Sequence, residues 1–180
     1  MRSPSAVRLS AVRVLGIDPG SRLTGFGVID SDSTGTHYVA AGTVRTTAKE
    51  FTERLKEVFV GMSKIINEYA PHEIAIERVF LARNPDSAIK LGQARGAALS
   101  ATFASSASIH EYSAREVKQA VVGSGAAQKT QVQRMVRVML GIKSTEPLGA
   151  DAADALAIAL CHAHGRVLRA RLAHVTGAHP

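Results

Sequence analysis

One cysteine, Cys161, leaves this 180-residue chain without an intrachain disulfide, a usage that suits a reducing cytoplasm. No apolar run reaches the ~18 residues that a membrane-spanning helix needs. Tryptophan is absent and aromatic residues amount to 4%, which argues against a recognition surface built mainly on stacking. Low-complexity tracts and internal repeats are also missing, so one compact globular domain is expected. Met1 to Ala11 carries Arg2 and Arg8 but neither a continuous apolar core nor a cleavage pattern. Residues 1–11 therefore read as a short flexible extension rather than a signal peptide.

Positive charge is what the chain has in excess, with a formal net charge of +7 at pH 7. A basic protein kept soluble by its charge would account for the total but not for its distribution. Residues 82–95 and 115–143 are both markedly basic. Clustered Lys and Arg supply the salt-sensitive part of nucleic-acid affinity, so a polyanion bound mainly through its phosphates is the sharper expectation.

The apolar pattern predicts three strands in succession, Val12 to Asp18, Leu23 to Asp30 and His37 to Thr46, joined by short turns into an antiparallel meander. In the second, Phe26 and Val28 alternate with Gly25 and Gly27, leaving one face bare enough for another backbone to approach. Helical spacing at Leu55, Val58, Phe59, Met62, Ile65 and Ile66 predicts a helix over 51–69, ended by Pro71. A fourth strand follows over Glu73 to Phe80. Asn84-Pro85 opens a helix running to about Phe103, and Ile109 to Tyr112 forms a fifth strand. Helices over Ser113 to Val122, Lys129 to Leu140 and Ala150 to about Ala163 complete the order, with a basic tail over 165–180 that frays at its end. The expected fold is α/β, a single layer of mixed sheet flanked by helices on both faces.

Four carboxylates stand out against this background. Asp18 ends an apolar strand in Gly16-Ile17-Asp18-Pro19-Gly20, Glu77 follows Ile74-Ala75-Ile76, and Asp151 and Asp154 open an alanine-rich helix. Each alone has an ordinary explanation: Asp before Pro-Gly forms turns, and two acids three apart can cap a helix. Glu77 is harder to dismiss, although an open sheet face would leave it solvated. Together they change the reading. Asp151 and Asp154 project from one helix face, and adjacent central strands would place Asp18 and Glu77 beside them. Four such acids cannot all ionise without cations, and an all-oxygen donor set suits Mg²⁺ or Mn²⁺ rather than zinc.

Four stretches in family order, GIDPGSRLTGFGVI (16–29), IAIERVFLARNPDSAIKLGQARGAA (74–98), REVKQAVVGSGAAQKTQVQRMV (115–136) and ADAADALAIALCHAH (150–164), carry a resemblance. The chain closely resembles the RuvC family, the bacterial Holliday-junction resolvases of the ribonuclease H-like superfamily. The resemblance implies a ribonuclease H-like nuclease domain over 12–164, with three antiparallel strands and then two parallel ones in a five-stranded sheet. It implies a catalytic, metal-binding tetrad of Asp18, Glu77, Asp151 and Asp154 holding two Mg²⁺, with Mn²⁺ as a substitute. It further implies a homodimer that nicks four-way junction DNA symmetrically, with the RuvA-RuvB branch-migration complex as a partner in the family. Lys118 and Lys129 match lysines near the DNA backbone, and Arg83 matches a phosphate contact. Two roles stay open for Phe80: a wedge at the junction, or a packing residue at a helix entry. The helix from Asn84 resembles the one that pairs subunits, and would serve equally as core.

Two motifs mislead. Gly123 to Thr130 approximates a phosphate-binding loop, but Gln128 replaces a required glycine and a helix precedes it. Cys161, His162 and His164 lie on one helix with spacing that does not converge on tetrahedral zinc, which leaves packing and a solvated helix end. An actin-like kinase shares the strand-GID-x-G opening but needs a second such domain, for which the chain has no room. A structured-RNA nuclease of the same superfamily would lack the matches between 80 and 130. A non-catalytic junction binder would have no use for four acids facing phosphates.

Overall fold

A computed structural model describes residues 10–78 and 84–176, with side chains described up to Arg169. Five strands, β1 (Val12–Asp18), β2 (Leu23–Ser31), β3 (Thr36–Arg45), β4 (Glu73–Glu77) and β5 (Ser108–Tyr112), form one sheet in the order β3-β2-β1-β4-β5. The first three pair antiparallel, and β4 and β5 run parallel to β1. The expected mixed sheet is therefore present. β4 ends at Glu77, the Arg78 amide still bonds the Tyr112 carbonyl of β5, and the expected end at Phe80 lies outside the described residues.

Side-chain alternation sorts the helices onto two faces. Leu15, Ile17, Val28, Ile74 and Ile76 point to α1 (Phe51–Tyr69) and α2 (Pro85–Ser100), where Val58, Met62, Ile65, Ile66 and Ala98 meet them. Val12, Val14, Ile29 and Ala75 point to the opposite face, covered by α3 (Ala114–Val122), α4 (Lys129–Leu140) and α5 (Ala150–Thr176). Asn84 caps α2 through its side chain, and Ser113 and Glu116 form a capping box on α3. Helix α2 ends at Ser100 rather than near Phe103, because Thr102 and Phe103 bond carbonyls three residues back and tighten the chain into turns.

Helix α5 lies against the middle of the sheet and is buried nearly all round from Ala152 to Ala163. Burial of its large side chains, Leu156, Ile158 and Leu160, contributes about 1.5–3 kcal/mol each. Its close approach depends on glycine. A Cβ at Gly16 would overlap the Ala155 carbonyl oxygen, one at Gly25 the Asp151 carbonyl oxygen, and one at Gly27 would lie 2.7 Å from the Leu156 nitrogen. The bare face expected on β2 extends onto β1, and the helix backbone rests directly on it. Helix α5 also runs thirteen residues past its expected end near Ala163, because Gly165 keeps helical geometry and good helix formers follow it.

Candidate active site

Asp18 and Glu77 close β1 and β4, and the parallel register that pairs Ile17 with Ile76 sets their carboxyls side by side. Both belong to the alternation that faces α5, as do Gly16 and Ala75. Antiparallel pairing places Gly25 opposite Asp18, and that glycine admits the first turn of α5. Asp151 and Asp154 therefore arrive over the ends of the two strands. Oxygens of Asp18, Asp151 and Asp154 lie within 4.8 Å of one another. Asp151 is the second residue of α5, after Gly149 has accepted the amide of Ala153, so N-capping does not account for it.

Asp18, Glu77, Asp154, Lys118 and Lys129 line one cavity of about 250 Å³, with Val117, Val132, Ala157 and Ile158 as its apolar wall. Burial pushes the Asp18 carboxyl up to about 8, helped by the negative charges of Glu77 and Asp154 and by a hydrogen bond with Glu77. Glu77 is raised too, chiefly by burial, while its bond to Asp18 and the charges of Lys129 and Lys118 work the other way. Both carboxyls are thus biased towards their neutral forms in the metal-free protein. Lys129 makes an ion pair with Asp154, and that bond raises its own pKa. An anionic oxygen cluster that must be protonated or paired with an ammonium fits a divalent cation in its donor chemistry.

Lys118 reaches this cavity from α3 and Lys129 from the first turn of α4. Phe80 and Arg83 lie outside the described residues. The glycine loop between α3 and α4 is less available to a phosphate than its composition suggests, since the Gly125 amide donates to Gln119 Oε1 at 3.1 Å. Gln119 also donates to the Gly123 carbonyl at 2.9 Å, which staples the loop to α3.

Sequence reasoning missed two polar anchors of the sheet. Arg95 of α2 donates to the backbone carbonyl of Glu77 at 3.0 Å and pairs with Glu111 at 2.7 Å, anchoring the end of β4. His162 of α5, expected only to pack, bonds Tyr112 of β5 and Glu73 of β4. Packing does explain Cys161, whose thiol burial pushes up to about 12. No signal marked Arg95 or Glu73, because each looks like an ordinary surface charge in sequence.

A five-stranded sheet of this order, with acids gathered at the ends of its first and fourth strands and lysines beside them, defines a ribonuclease H-like nuclease. The family profile described as "Crossover junction endodeoxyribonuclease RuvC" matches residues 14–162, and the chain belongs to that family. Its relatives include the crossover junction endodeoxyribonuclease RuvC of Marinobacter nauticus, 55% identical over 164 residues, covering 91% of this chain and 93% of the relative. That of Stenotrophomonas maltophilia is 54% identical over 162 residues, covering 89% and 92%. Among solved structures, T. thermophilus RuvC in complex with Holliday junction substrate superposes with a TM-score of 0.80 at 34% identity, covering 88% of this chain and 97% of the other. The yeast mitochondrial Holliday junction resolvase Ydc2, at 12% identity and a TM-score of 0.66, shares the fold.

Proposed function

We propose that this chain, as a homodimer, resolves four-way DNA junctions by paired symmetric nicks in homologous recombination and DNA repair. Each nick is a hydrolysis: water adds to phosphorus, the P–O3′ bond breaks, and 5′-phosphate and 3′-hydroxyl ends remain. The observation that carries this reading is the convergence of Asp18, Glu77 and Asp154 with Lys118 and Lys129 on one open cavity, with Asp151 beside them. The T. thermophilus relative described with a Holliday junction substrate shares the fold that builds it.

Asp18, Glu77, Asp151 and Asp154 would hold two Mg²⁺, or Mn²⁺ in their place. When bound, such ions supply a water acidic enough to attack at neutral pH and positive charge for the leaving 3′ oxygen. The chain's own part is placement. Two acids are fixed at strand ends and two on a helix seated on glycine, so their spacing is set before substrate arrives. Lys118 and Lys129 neutralise the DNA backbone beside the acids. Phe80 and Arg83 lie three and six residues after Glu77 in sequence, which supports their assignment as junction contacts.

Helix α2 supports the dimer. Ile89 is 61% exposed, and Gly92 and Gly96 have open space where a side chain would be, a surface that invites close helix pairing. No described helix is long and apolar enough to cross a membrane. We place the protein in the cytoplasm, on DNA processed by RuvA-RuvB, as befits one buried free cysteine and a nucleic-acid substrate.

The test is cleavage of a synthetic mobile four-way junction by wild type and Asp18→Asn in Mg²⁺, Mn²⁺ or EDTA. Paired symmetric nicks that need metal and vanish in the variant, with junction binding kept, are expected. Cleavage that survives Asp18→Asn would remove the acid from the site.

A further inference from the structure

A polar network that runs from Glu73, at the opposite end of β4 from Glu77, through His162 to Tyr112 has no role in the reading above. His162 is fully buried in an otherwise apolar stretch of α5. Its Nδ1 lies 2.8 Å from the Tyr112 hydroxyl, and its Nε2 contacts a carboxylate oxygen of Glu73. The other Glu73 oxygen accepts from Arg166 Nε at 3.2 Å, one turn further along the same helix. The His110 ring stacks on His162 with centroids 4.4 Å apart. Burial works to raise Glu73, but His162, Arg166 and His110 together hold it below the usual glutamate range. An ionised carboxylate only accepts, so Nε2 carries the proton, and in a neutral imidazole Nδ1 then accepts from the Tyr112 hydroxyl. Both ring nitrogens are committed. Glu73, His110 and His162 bring ligand atoms within 4.8 Å, as a metal site would, yet Arg166 and Tyr112 already occupy this network's valences.

The network ties together the elements that carry the active site. Glu73 opens the strand that Glu77 closes. Tyr112 directly precedes Ser113, the cap of the helix bearing Lys118. His162 lies eight residues beyond Asp154, about 12 Å along the helix axis at 1.5 Å per residue. Glycine and alanine line much of the contact between α5 and the sheet, giving a close but shallow surface that resists lifting better than sliding. Directional hydrogen bonds in a buried setting fix register where shape does not.

We propose that His162 is a positioning residue for the cleavage reaction: by clamping α5 to Glu73 and Tyr112, it sets the axial position of Asp151 and Asp154 over Asp18 and Glu77. This rests on the four acids being the cleavage site. Misplacing a reacting group by about 1 Å costs on the order of 100-fold in rate, so small slippage of α5 is enough to register.

The experiment compares single-turnover junction cleavage, junction Kd and Mn²⁺ binding to the DNA-free protein in five variants. His162→Leu removes both bonds, His162→Gln keeps a donor towards Glu73, and Tyr112→Phe removes only the hydroxyl. Leu160→Ala weakens packing of the same helix without touching the network, and Asp154→Asn reports on the site itself. His162→Leu and Tyr112→Phe should cleave about 10- to 100-fold more slowly at saturating metal, bind Mn²⁺ more weakly and keep their junction Kd. His162→Gln should recover part of the rate, and Leu160→Ala should lower the melting temperature while keeping it. The clamp is overturned if His162→Leu cleaves at the wild-type rate, or if Leu160→Ala slows cleavage as much. Should His162→Leu fail to fold, Tyr112→Phe decides alone: a wild-type rate overturns the proposal. Full cleavage by Asp154→Asn would instead overturn the site reading, and the clamp with it.

Discussion

Lys129, in the first turn of α4, pairs its ammonium with the carboxylate of Asp154, in the second turn of α5. The contact places a positive charge beside the carboxylates that crowd Asp18, at the edge where a phosphate would enter. Lys129→Met should reduce junction affinity and lower the slope of log Kd against log salt by about 1, as loss of one phosphate contact does. Fluorescence anisotropy across a salt series measures this. An unchanged slope would remove Lys129 from the DNA contacts.

Asp18 gives a prediction of opposite sign to most aspartates. Its folded pKa of about 8 lies above its ordinary value of 3.8, so between the two the folded chain holds a proton that the unfolded chain has released. Stability of the metal-free protein therefore falls as pH rises through this window. Asp18→Asn removes that penalty. In EDTA its melting temperature should exceed wild type by a margin that grows from pH 5 to beyond pH 8, read by calorimetry. A margin independent of pH would show that the carboxyl titrates normally.

His162 acts at a different pH. Burial lowers its pKa below the ordinary 6.5, partly offset by the bond to Glu73. As pH falls below 6.5 the unfolded chain takes up a proton that the folded chain resists, and stability declines. Glu73, His110, Tyr112, Arg166 and Arg169 are the charged and titratable groups acting around this ring. Urea midpoints of wild type should drop between pH 6.5 and 5, with a shallower drop in His162→Gln. Parallel curves would place the titration elsewhere.

Gly16→Ala tests the seat of α5. The added methyl would overlap the Ala155 carbonyl and lie 2.8 Å from the Ala159 nitrogen, so backbone rather than a flexible side chain must give way. A loss of about 1–3 kcal/mol or more is expected from overpacking, together with weaker cleavage as the helix lifts. Urea unfolding and the junction assay report the two effects. Wild-type stability would mean that the sheet and helix separate more easily than their packing implies.

The parts legible in sequence share a local signature. The limits of α1 and α4 follow from apolar spacing bounded by Pro71 and by the glycine at 141, and the structure places both helices at their expected residues. The glycine face of β2 and the apolar circumference of α5 were complementary enough to predict their contact, and the acids followed from it. The network of Glu73, Tyr112 and His162 was not legible, because its members come from three elements and none breaks a local rule. Gly165 misled in the other direction: a glycine near a helix end usually stops it, yet here the chain continues to Thr176. Whether Phe80 wedges or packs depends on residues 79–83, which local pattern does not fix.

Helix α5 is the last of the described elements and also the central one, covering β1 and β2 and carrying two of the four acids. During synthesis the sheet and helices α1 to α4 leave the ribosome first, with the glycine face of β1 and β2 still uncovered. Until residues 150–163 emerge, Asp18 and Glu77 lack Asp151 and Asp154, and the part of the core that α5 covers has no lid. Completion of the hydrophobic interior and completion of the acidic cluster are consequently one event. A chain that has not yet made this helix lacks both the middle of its core and, on the proposed reading, half of its acids.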